Sequence, residues 1–331
     1  MKRLFLILLL VLFVISTHSS QAQVFKADSP LAHTYSIVAR DAETGEMAVG
    51  VQSHWFSVGT GVSWGEAGVG VVATQSFTNK SFGLRGLALL KEGKTPQEAL
   101  DILLGDDEGK DVRQVAILDA KGRVAAHTGV KCIQFAGDKQ GVNYSVQANM
   151  MLNSTVWSAM AKAFEDSHGK PLAERVLLAL EAAEGQGGDI RGRQSAALIV
   201  VDGEKSEEPW NNHKIDLRVD DSAAPLPELR RLYTVKLAYE HMNAGDVAVE
   251  NGDMPKALQE YGAAEEMFPD NLEMKYWKAV ALANNNRLEE ALPVFKLIFG
   301  KDENWKELSK RLVPLGFLAV TEEQLAQILK Q

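Results

Sequence analysis

The sequence of 331 residues has very little cysteine and none of the common catalytic signatures. Cys132 is the only cysteine, so no disulfide can form within the chain. The scattered histidines show no zinc-ligand spacing. There is no Gly-x-Ser-x-Gly elbow, no His-Glu-x-x-His pair and no glycine loop with phosphate-binding spacing. The standard triad hydrolases, zinc peptidases and nucleotide-binding enzymes are therefore excluded on motif grounds, and we expect neither a metal nor a cofactor.

Charge and hydrophobic runs exclude two further kinds of partner. The net charge is −9 and the sequence has no basic stripe, which argues against nucleic acid as a ligand. After the first residues, no segment stays apolar for as long as a bilayer-spanning helix requires. We therefore expect that the mature chain does not span a membrane.

The first 22 residues have the layout of a secretory signal peptide. Lys2 and Arg3 form a positive start, residues 4–15 are an unbroken apolar run, and a small-x-small site ends at Ala22. The alternative is an uncleaved anchor. No cysteine follows the apolar run, so a lipid anchor is not expected. The sequence predicts a signal peptide over residues 1–22 and a periplasmic or secreted protein.

Over roughly the next 200 residues, stretches with strand patterns are followed by pairs of stretches with helix patterns, and this order occurs twice. Alternating apolar residues predict hairpins near residues 34–51 and 112–127, and each hairpin is followed by one further strand and a pair of amphipathic helices. The apolar run at residues 194–201 predicts a last, buried strand. Hairpins imply antiparallel sheets, and helix pairs imply helical layers on them. A doubly wound parallel sheet fits this order less well. The polar residues 202–227 are interpreted as an extension or linker.

The C-terminal part is helical and repetitive. Ala257 and Ala291 are separated by 34 residues, as are Tyr261 and Phe295, and this period with small and aromatic marks resembles the tetratricopeptide repeat. We align the two repeats roughly over residues 238–271 and 272–305. The sequence thus predicts an all-α repeat domain over residues 236–331.

Several ordered runs in the α/β part resemble the bacterial domain of unknown function 1028 family. The matching runs are 33–41 (HTYSIVARD), 48–53 (AVGVQS), 67–75 (AGVGVVATQ), 125–129 (AAHTG), 145–150 (SVQANM), 188–197 (GDIRGRQSAA) and 215–221 (IDLRVDD). The resemblance covers residues 34–235. The family is grouped with the N-terminal-nucleophile (Ntn) hydrolases, so the resemblance implies an α+β fold with a four-layer αββα sandwich.

Thr34 is the position that the resemblance implies as the nucleophile. In Ntn hydrolases the first residue of the mature chain attacks the substrate, and its own α-amine, with a pKa of about 7.7–8.0, accepts the proton. Thr34 lies 12 residues beyond the predicted signal cleavage site after Ala22. Without a further cut its nitrogen is an amide and not a base. The alternative, that Thr34 is an ordinary strand residue, stays open.

Other polar residues are predicted to line the same sheet end. Asn149 is a candidate oxyanion donor, as asparagine side chains can be. Gln75, Arg193 and Gln194 are candidate substrate-binding residues, and Arg191 and Arg193 are candidates to hold a substrate carboxylate. Asn149 has a structural alternative as a strand-end or turn residue, and the two arginines have one as residues of a solvated loop.

Two functions from different classes follow. The first is an exported Ntn-type hydrolase that cleaves an amide or peptide bond in a small substrate. The second is a non-catalytic binding protein with an Ntn-like fold, whose repeat domain binds a protein or peptide partner in a concave groove.

Overall fold

A computed structural model describes residues 31–331, which divide into two compact units between Leu229 and Arg230. The predicted signal peptide, residues 1–22, lies outside the described residues. The division falls inside a helix, Pro225–Glu250, and the predicted domain boundary after residue 235 falls in the same helix. From residue 31 to the end of the chain, no helix is long and apolar enough to cross a membrane.

The first unit contains two antiparallel β-sheets, which we call sheet I and sheet II. The strands are Leu31–Ala32 (β1), Thr34–Arg40 (β2), Met47–Ser53 (β3), Ser63–Glu66 (β4), Gly70–Phe77 (β5), Arg113–Asp119 (β6), Val124–Thr128 (β7), Gly137–Gly141 (β8), Tyr144–Ala148 (β9), Ser195–Val201 (β10) and His213–Val219 (β11). Sheet I has the order β1-β5-β6-β7, with β4 also paired to β5. Sheet II has the order β11-β10-β3-β2-β9-β8. The antiparallel hairpins predicted from the sequence are confirmed.

Apolar residues from both sheets form one core between them. Sheet II contributes Val38 from β2, and sheet I contributes Val71 and Leu118 from β5 and β6. Successive side chains of a strand point to opposite faces, so Thr34 and Ser36 share this inner face with Val38. The start of β2 is thus polar on the face where the sheets meet, and the middle of the strand is apolar.

A helix pair packs on the outer face of each sheet. The helices are Ser81–Lys91 (α1), Pro96–Gly105 (α2), Val156–Asp166 (α3) and Leu172–Gly185 (α4). Leu87 of α1 and Leu103 of α2 share a core with Ile117 of sheet I. On sheet II, α4 packs so closely on β3 that a Cβ atom at Gly50 would lie 2.3 Å from Cγ1 of Val176. Glycine at this position permits the close approach of helix and strand.

The interpretation of residues 202–227 as a linker is wrong over its second half. Strand β11 lies there and pairs with β10 from Ala196 opposite Val219 to Val201 opposite His213. The strand was missed because it forms the edge of sheet II, where only Ile215 and Val219 are buried and most of the other side chains are exposed. Its polar composition reflects that edge position and not an absence of structure.

The C-terminal unit is built from helical hairpins. Its helices are Pro225–Glu250 (α5), which crosses from the first unit, Met254–Met267 (α6), Leu272–Asn284 (α7), Leu288–Lys301 (α8), Asn304–Leu312 (α9) and Glu322–Leu329 (α10). Tyr261 and Phe295, the aromatic residues of the predicted period, are both buried. A Cβ atom at Gly245 would lie 2.5 Å from the ring of Tyr261. The small residue Gly245 therefore packs against the aromatic ring of Tyr261, as is typical of the helical hairpin of a tetratricopeptide repeat.

Candidate functional site

The peptide bond between His33 and Thr34 lies where the chain passes from one sheet to the other. Strand β1 pairs with β5 of sheet I, with Ala32 opposite Ser76. Strand β2 begins at Thr34 in sheet II, opposite Ser53 of β3. His33 is the single residue between the two strands, and both His33 and Thr34 are fully buried. The predicted nucleophile is therefore part of a continuous buried chain in this structure.

The carbonyl oxygen of His33 accepts two side-chain hydrogen bonds. Ser53 Oγ donates over 2.5 Å and Arg191 Nη2 donates over 2.9 Å. The guanidinium group of Arg191 is itself held by Asp189, with Nη2 to Oδ2 at 2.7 Å and Nε to Oδ1 at 3.0 Å. The Asp189 carboxylate is fully buried. A hydroxyl and a guanidinium group fixed by a buried carboxylate therefore polarise the carbonyl that precedes Thr34.

The imidazole of His33 is buried on the other side of the same peptide. Its Nδ1 lies 2.7 Å from Oδ1 of Asn149, and its Nε2 has no hydrogen-bond partner among residues 31–331. Burial is the largest effect on this group and lowers the pKa of His33 below its ordinary value of 6.5. The neutral ring then donates from Nδ1, because the amide oxygen of Asn149 can only accept.

Amide side chains converge on the carbonyl oxygen of Thr34. It accepts hydrogen bonds from the backbone and side-chain nitrogens of Asn149, at 3.1 and 3.3 Å, and from Nε2 of Gln75 at 3.3 Å. Gln114 Oε1 in turn accepts from Gln75 Nε2 at 2.7 Å and from Asn149 Nδ2 at 2.9 Å. The predicted site residues Thr34, Gln75 and Asn149 are thus in direct contact.

The contacts extend into a larger set of uncharged side chains between the sheets. Ser36 Oγ donates to Gln75 Oε1 over 2.7 Å, and Gln147 Nε2 donates to Ser36 Oγ over 2.6 Å. We call this set the inter-sheet polar cluster; its members are Thr34, Ser36, Gln75, Gln114, Gln147 and Asn149, all fully buried. Buried amide groups are costly unless paired, and here their hydrogen bonds satisfy one another.

Backbone conformation is unusual at two strand ends beside the cluster. Ser76 follows Gln75 with φ of 71°, and Met150 follows Asn149 with φ of 58°. Residues other than glycine seldom adopt this left-handed region, and such strain is often found at functional sites. Both residues come directly after a residue of the inter-sheet polar cluster.

Arg193 and Gln194 lie apart from the cluster. The side chain of Arg193 is half exposed and pairs with Glu184, and Gln194 Nε2 donates to Asp221 Oδ1 over 3.0 Å. Neither side chain forms a hydrogen bond with Thr34, Gln75 or Asn149. Their assignment to substrate binding stays a prediction.

The sequence did not point to three residues at the centre of the site, His33, Gln114 and Asp189, and it left the role of Ser53 open. Gln114 had a detectable signal, since it is a polar residue next to the long apolar run of β6. The role of Ser53 depends on its register opposite Thr34, which pattern alone does not fix. Within residues 31–331, no group of three or more His, Cys, Asp or Glu side chains is arranged to hold a metal ion.

Comparisons with known proteins agree with this division of the chain. The model of a family of unknown function, DUF1028, matches residues 34–229, and a tetratricopeptide repeat model matches residues 242–303. Both resemblances noted in the sequence are thereby confirmed. No curated protein shows significant sequence similarity to the chain.

Two solved structures are similar to part of this chain, in different degrees. Protein SPO2555 from Silicibacter pomeroyi, of the same family model, has 30% sequence identity and a TM-score of 0.55 over 61% of this chain and 84% of that chain. Anbu, the ancestral β-subunit from Yersinia bercovieri, has 11% identity and a TM-score of 0.31 over 60% of this chain and 93% of that chain. The second similarity is too low to support a conclusion.

Proposed function

Because the chain belongs to the DUF1028 family through residues 34–229, we propose that its first unit is an Ntn-type amide-bond hydrolase with Thr34 as nucleophile. The stacked sheets, each with a helix pair on its outer face, support an αββα sandwich of the Ntn-hydrolase type. The proposed substrate is a small amide or peptide. The inter-sheet polar cluster holds the carbonyl oxygen of Thr34 and so fixes the start of β2 beside the proposed nucleophile.

The observation that carries the proposal is the pair of hydrogen bonds to the carbonyl of His33. An oxygen that gains negative charge when a carbonyl is attacked is stabilised by donors already aimed at it. Ser53 and Arg191 are such donors, at 2.5 and 2.9 Å. The carbonyl they hold is the one that immediately precedes the predicted nucleophile. We infer that this structure is the precursor form, with the His33–Thr34 bond as its cleavage site.

The cleavage can be written with balanced bonds. Thr34 Oγ1 attacks the carbonyl carbon of His33, the bond to the Thr34 nitrogen breaks, and that nitrogen takes up the hydroxyl proton. Water then hydrolyses the resulting ester, which leaves a carboxylate on His33 and a free α-amine on Thr34. With a pKa of about 7.7–8.0, that amine serves as the base in later turnovers.

After this cleavage a substrate carbonyl would take the place of the His33 carbonyl. Ser53 and Arg191 would then bind its oxygen, and Asn149 is the further candidate donor beside Thr34. Arg193 and Gln194 stay candidate contacts for more distant parts of the substrate. The chemistry uses only side chains and the chain terminus.

Mass spectrometry and an amine-release assay test the proposal together. We expect purified protein to convert with time to a chain that begins at Thr34, and that product to release free amine from a panel of peptides and acyl-amides. A protein that stays uncut and is inactive would contradict the proposal if a chain produced directly with Thr34 as its first residue were also inactive.

A second candidate function rests on the continuity of the chain through Thr34. A fully buried His33–Thr34 bond is also the state expected of a non-catalytic protein in which Thr34 is a strand residue. In that case the tetratricopeptide repeats of residues 242–303 would bind a protein or peptide partner. Inactivity of the chain that begins at Thr34 favours this alternative.

We also propose that the protein works in the periplasm or outside the cell. The proposal rests on the positive start, apolar run and small-x-small site of residues 1–22. The intact mass of protein recovered from cell fractions tests it. We expect residues 1–22 to be missing from protein found outside the cytoplasm, and a full-length cytoplasmic product would contradict it.

A further inference from the structure

A concave site lies at the opposite end of strand β2 from Thr34. It is an open cavity of about 700 Å³. Three segments line it: the β2–β3 turn, the β8–β9 turn and the connection between α3 and α4. Arg40, the last residue of β2, and Arg175, in the first turns of α4, both line the cavity. The volume suffices for a small organic molecule.

Arg175 is a buried guanidinium group with few partners. The residue is only 8% exposed, and its Nε has no hydrogen-bond partner among residues 31–331. Its one side-chain hydrogen bond runs from Nη2 to the carbonyl of Phe164 over 3.3 Å, and the guanidinium carbon lies 3.9 Å from the centre of the Phe164 ring. Burial of a charged group without an ion-pair partner is costly. Burial also lowers the pKa of Arg175.

Two further features of the cavity favour a negative ligand. The Nε of Arg40 is also buried without a hydrogen-bond partner in the described part of the chain. Helix α4 begins at Leu172, beside the cavity, and no side chain caps its first turn. The N-terminus of a helix carries partial positive charge and unpaired N–H groups. These contributions are independent of the guanidinium group of Arg175.

Of the four acidic side chains that line the cavity, Glu43 is exposed to solvent and the other three are held by other groups. Glu46 pairs with Lys214 at 2.8 Å, and Glu165 accepts a hydrogen bond from the hydroxyl of Tyr144. Asp41 Oδ1 accepts from the backbone N–H groups of the turn, including that of Thr44 at 2.9 Å. Among the ion pairs of residues 31–331, Glu46 and Glu165 pair with lysines and not with either arginine. Burial lowers the pKa of Arg175 more than the charge of Asp41 raises it. Both arginines line the cavity, and each has an Nε without a hydrogen-bond partner among residues 31–331.

We propose that this cavity binds a small molecule through an oxyanion group, a carboxylate or a phosphate, held by Arg175 and Arg40. The planar guanidinium fork matches the paired oxygens of both groups. The ligand would accept hydrogen bonds from the guanidinium groups of both side chains, and the N-terminus of α4 would add to the attraction. This site is separate from the proposed chemistry at Thr34 and does not depend on it.

Calorimetric titration of the full chain with succinate and with inorganic phosphate tests the proposal and distinguishes the two anions. We expect saturable binding of one anion, weakened at least about tenfold, or about 1.4 kcal/mol, by Arg175→Met and by Arg40→Gln. Arg85→Gln is the matched control. It removes the same charge from an exposed pair with Asp106 outside the cavity, and we expect it to leave binding unchanged.

Saturable binding of neither anion would overturn the proposal, as would equal affinity in wild type and both cavity variants. Arg175 is buried, so Arg175→Met is first checked by circular dichroism. If that variant does not fold, Arg40→Gln alone decides, because Arg40 is only partly buried.

Discussion

His33 and Thr34 face two sets of donors that differ in kind. The carbonyl of His33 is held by a hydroxyl and a guanidinium group, whereas the carbonyl of Thr34 is held by amide groups of Asn149 and Gln75. A charged donor stabilises a developing oxyanion more than a neutral amide does. The first carbonyl is therefore suited to reaction, and the second to holding β2 in place.

Substitution of Thr34 separates chemistry from stability. We expect Thr34→Ala to stop cleavage after His33 and to lower amine release by about 10³-fold or more, because the attacking hydroxyl is lost. Thr34→Ser should keep part of both activities, since the hydroxyl remains. The melting temperatures of all three proteins should be similar, because only small groups are changed. Mass spectrometry, the amine assay and calorimetry measure the three outcomes.

A comparison of two chain starts controls this prediction. A chain that begins at Thr34 should be more active than an uncut chain that begins at Gln23, because only the former has a free amine on Thr34. Equal activity of the two, with no processing seen by mass spectrometry, would remove the N-terminal-nucleophile mechanism.

His33 predicts a pH dependence of stability in the uncut chain. Burial lowers the pKa of His33 below 6.5, so in acid the unfolded state binds the proton first. Stability should therefore fall as the pH drops below about 6.5 and continue to fall until the folded-state pKa is reached. Melting curves between about pH 7.5 and 5, recorded in the Thr34→Ala background to keep the chain intact, measure this.

His33→Gln in the same background isolates the effect. Glutamine can still donate to Asn149 but does not titrate, so we expect a shallower fall in melting temperature with acid. Parallel curves for the two proteins would assign the pH dependence to other groups.

Part of this site could be predicted from the sequence. The family resemblance pointed to Thr34, and Gln75 and Asn149 were expected as polar residues at the same sheet end. The position of Arg191 at the carbonyl of His33 is a contact between residues 158 apart in the chain, and no local pattern encodes it. Arg191 and Arg193 lie in the same glycine-rich loop, and the sequence alone does not show which of them contacts His33.

Among secondary-structure elements, the sequence revealed those with a strong apolar pattern. Thr95, Pro96 and Glu98 form a recognisable helix start at α2, and the capping box is present in the structure. Strand β8 was not predicted, because its sequence Gly-Asp-Lys-Gln-Gly has no apolar face. It forms because its backbone pairs with the free edge of β9, so tertiary contacts and not local sequence determine it.

Helix α4 and strand β3 give a prediction about packing. Gly50→Ala should lower the free energy of unfolding by about 1–3 kcal/mol, since the new methyl group would overlap Val176 and force the helix outward. Gly105→Ala, at the end of α2, is the matched control because nothing lies within 4 Å of its Cβ position. Urea denaturation of both variants measures the difference, and equal effects would contradict the proposed close packing.

For the whole molecule, the division between Leu229 and Arg230 predicts independent folding of the first part. A chain of residues 24–235 keeps β10 and β11 and the core between the sheets, so we expect it to be soluble and to melt in one cooperative transition. A matched chain that ends at residue 193 lacks both strands and should not fold. A molten 24–235 product by circular dichroism would mean that the repeat unit completes the core.

The inter-sheet polar cluster also constrains how the sequence can drift over generations. The side-chain oxygen of Gln114 accepts hydrogen bonds from Gln75 and Asn149. Its side-chain nitrogen donates to Thr128 Oγ1 and to the backbone carbonyl of Ala148. A change at one of these positions leaves a buried donor or acceptor unpaired at another, at a cost of about 1–3 kcal/mol. Relatives should therefore exchange these residues in concert or not at all, and paired variants should recover stability that each single variant loses.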